Sequence, residues 1–109
     1  MELKYTPKII NEIEVANGNK SFTVLLGDVR LKMLAMWIKK GMGLKTDEEA
    51  FDKMTEYLKE HSIEDLLIEI YEALQASGFL DRSKNIRELV NGAKEDLEEG
   101  KKVNIPQTL

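Results

Sequence analysis

The sequence predicts an all-α fold, a small bundle of four to five helices built around a central helical hairpin. Three observations lead there. Thr46-Asp47-Glu48-Glu49 is a capping box, in which a hydroxyl and a carboxylate three residues apart satisfy the free amides of a helix start. Further on, Ser62-Ile63-Glu64-Asp65 opens a second helix and Gly78-Phe79-Leu80 closes it. Between these marks the apolar residues recur at helical spacing, as Ala50, Phe51, Met54 and Leu58 on the first arm and Ile63, Leu66, Leu67, Ile70, Tyr71 and Leu74 on the second.

The remaining elements follow in chain order. Met1 to Tyr5 reads as a short extended segment, an optional β segment near the N-terminus. Thr6-Pro7 is a helix cap followed by proline at the first helical position, and Ile9, Ile10, Ile13 and Ala16 form a stripe that Asn17-Gly18 ends. Ser21 to Leu26 reads as one helical turn, with a strand as the alternative because Phe22, Thr23 and Val24 suit either. Asp28 then caps a helix from Val29 to Lys40, which Gly41-Met42-Gly43 breaks. Past the hairpin, Asp81-Arg82-Ser83 makes a turn, and Ile86, Leu89, Val90, Ala93 and Leu97 outline a last amphipathic helix weakened by Asn91-Gly92. Residues 1–100 are expected to form a single helical domain and residues 101–109 a flexible tail without periodicity.

The helix from Val29 is apolar on nearly its whole circumference, through Leu31, Met33, Leu34, Ala35, Met36, Trp37 and Ile38. Such a helix is either the centre of a bundle or a face that meets another molecule. A domain of 109 residues has little material to cover a helix on every side. Part of this helix is therefore expected to contact a second subunit or a partner.

Charge and composition narrow the function. The net charge of −4 comes from 16 basic and 20 acidic residues that are interspersed, whereas nucleic-acid binders concentrate positive charge on one face. Lys39-Lys40, the densest basic run, ends an apolar helix, where cations complement the dipole. The helix from Ile63 carries Glu64, Asp65, Glu69 and Glu72, which phosphates would repel. The absence of cysteine excludes disulfides, thiolate zinc sites and thiol nucleophiles, in agreement with a reducing cytosol. Met1-Glu2-Leu3-Lys4 does not resemble a signal peptide, and Val29 to Ile38 is too short to span a bilayer.

Chemistry is hard to assemble from what remains. His61 lies alone in the turn between the hairpin arms, where a histidine near a helix C-terminus supports the dipole or sits in solvent. Glu48-Glu49 and Glu64-Asp65 occupy first helical turns, which favour negative charge in any case, and Glu98-Glu99 lies in a charged run. Asp47 to Glu49 lack the alternate oxygens and central glycine of a calcium loop. Gly41-Met42-Gly43 follows a helix and precedes no Gly-Lys-Ser/Thr, so it is not a phosphate loop. No catalytic, cofactor-binding or metal-ligating residue is expected, and no enzyme activity.

Methionine is the more informative residue. Met33, Met36 and Met42 gather with Trp37 on the second long helix and the break after it. Methionine adapts to irregular surfaces and serves where one site must accept varied apolar segments, but it also fills gaps in cores. Met54 reads as core, while both readings stand for Met33, Met36 and Met42. These three and Trp37 are the candidate partner-binding residues.

In its order of elements the chain resembles the tail assembly chaperones of long-tailed siphophages and prophages of Gram-positive bacteria. The residues that carry the resemblance are Glu12-Ile13-Glu14, the apolar segment Phe22 to Leu26 and the apolar helix broken at Gly41 to Gly43. Glu49-Ala50-Phe51 follows, and then Ile70-Tyr71-Glu72-Ala73-Leu74 running into Ser77-Gly78-Phe79-Leu80. It spans Thr6 to Leu80 and does not extend beyond. The resemblance implies a helical binding protein of the host cytoplasm, absent from the finished virion. It further implies that the protein coats and solubilises a tape measure protein and helps tail tube protein polymerise around it, with a homo-oligomer as a further association. It implies no cofactor, nucleic acid or membrane. Lys101-Lys102 would suit the lysine-encoding slippery site from which such families make a longer frameshifted form. The alternative function is a small helical regulatory or nucleic-acid-associated protein.

Overall fold

The computed structural model describes residues 1–92. They form α1 (Pro7–Ala16), α2 (Phe22–Leu26), α3 (Leu31–Met42), α4 (Asp47–Tyr57) and α5 (Ile63–Ala76), followed by α6 from residue 86 to the end of the described chain. No strand occurs among the described residues, and residues 1–6 are extended without a sheet partner. The ambiguous segment Ser21 to Leu26 is helical from Phe22, with Ser21 as its cap. The outer half of the last amphipathic stripe, with Ala93 and Leu97, and the expected tail at 101–109 lie outside the described residues.

Local signals set the element ends. The Thr6 and Ser62 side chains accept from the amides of Ile9 and Asp65, and Asp65 returns a carboxylate bond to the Ser62 amide, completing a capping box. Thr46 makes only half of its expected box. Its hydroxyl accepts from the Glu49 amide at 3.1 Å but donates to the Glu49 carboxylate, which therefore does not reach back to the backbone. Asp28 accepts from the Arg30 amide and pairs with the Arg30 guanidinium at 2.6 Å, so it orders the turn before α3, and Arg30 occupies the cap position. The helix then runs through Gly41 and ends at Gly43 (φ 69°), with the Leu44 amide bonded to the Lys39 carbonyl. Gly78 (φ 86°) ends α5 the same way, through Phe79 to Leu74. Each is a left-handed closure that a side chain would strain.

Helix α3 is the hub. It packs against α1, α4 and α5, and both arms of the hairpin rest on it. Leu34, Trp37 and Ile38 are 1 % exposed or less. The short chain covers this helix by a means the apolar pattern does not reveal, because the extended N-terminal segment lies along it. The Lys4 amide donates to the Gly41 carbonyl at 2.9 Å, and the Tyr5 hydroxyl donates to the Trp37 carbonyl at 2.8 Å. The Tyr5 and Trp37 rings meet edge to face, with centroids 5.7 Å apart. Gly41 is where this strap lands. A Cβ there would stand 2.7 Å from the Tyr5 hydroxyl oxygen and 2.9 Å from Leu3 Cδ2. Gly41 thus serves as a close-approach residue inside the helix, and the helix end lies two residues later.

The smaller elements close the rest. Glu14, half-buried, accepts from the Phe22 amide at 2.8 Å and so anchors the start of α2, while Phe22 meets Phe79 edge to face at 5.8 Å. Asp81 accepts from the amide and hydroxyl of Ser83 in the expected turn, and α6 is capped by Asn85 and buries Val90.

Gly41→Ala should destabilise the fold, although alanine is the better helix former by about 1 kcal/mol. The strap is pinned by its own hydrogen bonds, so overpacking of about 1–3 kcal/mol should prevail in a urea titration. The Tyr5 hydroxyl also gives the fold an alkaline limit. Burial pushes its ionisation up, because the phenolate is excluded from the interior. The unfolded chain releases this proton near pH 10 and the folded one does not, so the contribution is constant below about pH 10 and falls above it. Comparison of wild type with Tyr5→Phe should show a stability slope above about pH 10 that is smaller in the variant by up to about 1.4 kcal/mol per pH unit.

Candidate partner-binding groove

The four candidate residues do not share one surface. Trp37 is 1 % exposed, clamped between Tyr5 and the helices around α3, and Met33 is 6 % exposed. Trp37 therefore acts as core in this fold, a correction to its placement on a binding face. Its ring is enclosed because the N-terminal strap, distant in sequence, folds over it. Met36 and Met42 are half-buried on the flank of the core.

Where the cover of α3 is incomplete, an open groove of about 310 Å³ remains between the end of α1, the outer side of α3 and the start of α4. Met33, Ala35 and Met36 line its base. Phe51, 41 % exposed, forms its α4 wall. Met42 does not line it. The groove arises from local chemistry. α1 runs antiparallel to α3, with Glu12 beside Lys40, and stops at Asn17, whose amide donates to the Ile13 carbonyl at 2.7 Å and to Met36 Sδ at 2.9 Å, so the chain turns away at Met36 before covering the first turns of α3. On α4, Ala50 and Met54 sit one turn apart and take the core face, which leaves Phe51 about 100° round the helix at the edge.

The rim is charged. Lys32, Lys39 and Lys40 reach it from α3 and Asp47 from α4. Lys39 pairs with Asp47 at 3.1 Å and Lys40 with Glu12 at 3.5 Å, both part-exposed pairs of the kind that holds little energy. The apolar pattern alone does not single out Phe51 or Lys32 as groove residues. Phe51 lies within a helical stripe, and only its off-centre position beside Ala50 and Met54 signals the edge.

A larger cleft of about 530 Å³ lies between α5 and the loop before α6. Two of its polar side chains are already engaged: the Gln75 amide donates to the carbonyls of Asp81 and Lys84, and Arg82 donates to that of Ala76. His61 stacks on Tyr57, with centroids 4.3 Å apart, and its Nδ1 stands 3.8 Å from Asp65. Burial first, and the Glu69 carboxylate next, push the Tyr57 hydroxyl up. Among the described residues there is no cluster of carboxylates and histidine that could hold a metal ion, and no helix long and apolar enough to cross a membrane.

Compared with protein-family models, curated proteins and solved structures, the chain matches none.

Core and groove side chains should separate in a stability measurement. Trp37→Ala should cost about 3–5 kcal/mol, because it empties a fully enclosed site. Phe51→Ser should cost less than about 1 kcal/mol, because much of the ring already meets water. Denaturant midpoints at constant m-value would check both.

Proposed function

We propose that this protein is a phage tail assembly chaperone. It binds amphipathic helices of a tape measure protein in the host cytoplasm, keeps that protein from aggregating, and releases it as tail tube subunits polymerise around it. The observation that carries the reading is the open groove over Met36 and Phe51, in the central part of a chain whose element order resembles that family.

A tape measure presents long amphipathic helices whose apolar faces associate if left free. A chaperone for many such segments needs adaptable apolar contact in preference to one rigid pocket. Met36, half-buried and unbranched, supplies adaptable contact, and Phe51 supplies area that costs little to hold still. At about 310 Å³ the groove is at the small end for a whole organic ligand, but it suits one or two anchoring side chains of a larger partner. Trp37 then supports the base of the groove from within and makes no contact with the partner. The regulatory, nucleic-acid-associated alternative has less behind it, because α5 exposes no basic face and begins with Glu64 and Asp65.

Co-expression with the tape measure protein of its own gene cluster tests the reading. Wild type should hold the tape measure in the supernatant and co-purify with it. Phe51→Ser combined with Met36→Glu should lower recovery roughly tenfold or more, the loss of a central anchor. A folded wild-type protein that leaves the tape measure in the pellet would reject the proposal. The gene should also lie between a tail tube gene and a very long tape measure gene.

A further inference from the structure

The rim of the groove carries information about the partner that its apolar base does not. Three lysines, Lys32, Lys39 and Lys40, face one lining carboxylate, Asp47, on a chain whose net charge is −4. With Asp47 on Lys39 and Glu12 on Lys40, the rim keeps an excess of one positive charge, at Lys32, on an acidic protein. Lys39 and Lys40 stand in the last turn of α3, where the helix dipole favours cations. Lys32 has no such reason. It is exposed in the first turn of α3, where the dipole disfavours a positive charge and where α4 and α5 place Asp47 to Glu49 and Glu64-Asp65.

The spacing is also specific. Lys32, Met36 and Lys39 follow one another at steps of four and three, so they form a single row along α3, with a cation at each end and an apolar residue between. The end-to-end span is about 10 Å, two helical turns. A second helix lying beside α3 repeats on the same interval, with carboxylates at i and i+7 meeting the lysines and an apolar residue at i+3 or i+4 entering over Met36.

We infer that the groove takes an amphipathic helix whose apolar stripe is bordered by acidic residues two turns apart, laid alongside α3, with Lys32 and the Lys39-Lys40 pair fixing its position. This rests on the helix-shielding reading above and adds the chemistry and placement of the bound segment. Elsewhere acidic residues outnumber basic ones, so a segment bordered by carboxylates is favoured less there than beside Lys32. Lys39 and Lys40 are already paired with Asp47 and Glu12, and an incoming carboxylate joins these part-exposed pairs without leaving a buried charge behind.

The test uses the whole protein and three synthetic helical peptides of about 20 residues, long enough to hold helix on binding. They share one leucine stripe and differ at the bordering positions, which are glutamate, glutamine or lysine. Binding is read by fluorescence anisotropy at low and high salt. The glutamate peptide should bind roughly tenfold tighter than the lysine peptide, and high salt should shrink the gap, as expected of exposed charges. Lys32→Glu should erase or reverse the preference. That variant is safe for the fold, because a carboxylate suits the first turn of α3. Equal binding of all three peptides, unmoved by Lys32→Glu, would overturn the acidic-border inference and leave helix shielding standing. Absence of peptide binding would overturn it too. If Phe51→Glu then dispersed a concentration-dependent dimer, the occupant of the groove would be a second copy of this chain. Failure of the tape measure to stay in solution, measured separately, bears only on the broader proposal.

Discussion

An α-helix that encloses Leu34, Trp37 and Ile38 leaves few ways to arrange the rest of a small chain around it. Most of the apolar surface of α3 is covered, although Leu31 stays 56 % exposed, and the neighbouring helices do not supply all of that cover. The contact that completes the enclosure is the docking of the N-terminal segment, where Tyr5 lies across Trp37 and bonds to its carbonyl while Lys4 bonds to the carbonyl of Gly41. An extended segment without a sheet partner is ordinarily costly, because its amides lose water without gaining a ladder. Here the Lys4 amide and the Tyr5 hydroxyl bond to helix carbonyls at the same place where the Tyr5 ring is buried. Gly41 makes the approach close enough for both.

The groove follows from the same geometry. Cover is supplied to α3 by the strap, α1, α4 and α5, and it fails where α1 ends at Asn17 and α4 has just begun. The apolar surface left there is modest and does not by itself drive aggregation. Two of its border lysines, Lys39 and Lys40, stand in part-exposed ion pairs that hold little energy. A site of this kind trades specificity of shape for breadth. Methionine adapts to varied apolar neighbours, and charge at a rim biases which surfaces approach it.

The structure also redistributes roles among the residues that the sequence brings to notice. Trp37 stands out in the chain as the largest apolar side chain on a helix that is apolar on nearly its whole circumference, and a binding role is the natural expectation. In this fold it is a packing residue, enclosed beneath Tyr5. Phe51 moves the other way, from a core stripe to the wall of the groove. Glu14, one of two glutamates in α1, turns out to bond the start of α2 from outside it.

Helix type and most helix ends are legible without coordinates. Thr6-Pro7, Ser62 to Asp65 and Gly78 act through hydrogen bonds that reach three to five residues, and such bonds are written in neighbouring letters. Gly41 misleads for a related reason: a glycine near a helix end resembles a stop, and nothing nearby reveals that Tyr5 will press against it. Which side chains are exposed is not legible either. Trp37 is covered by a ring 32 residues earlier, and Phe51 is left open by a helix that ends at Asn17. Burial depends on where distant segments come to rest. Local periodicity tells which side of a helix is apolar, and long-range packing chooses how much of that side is covered.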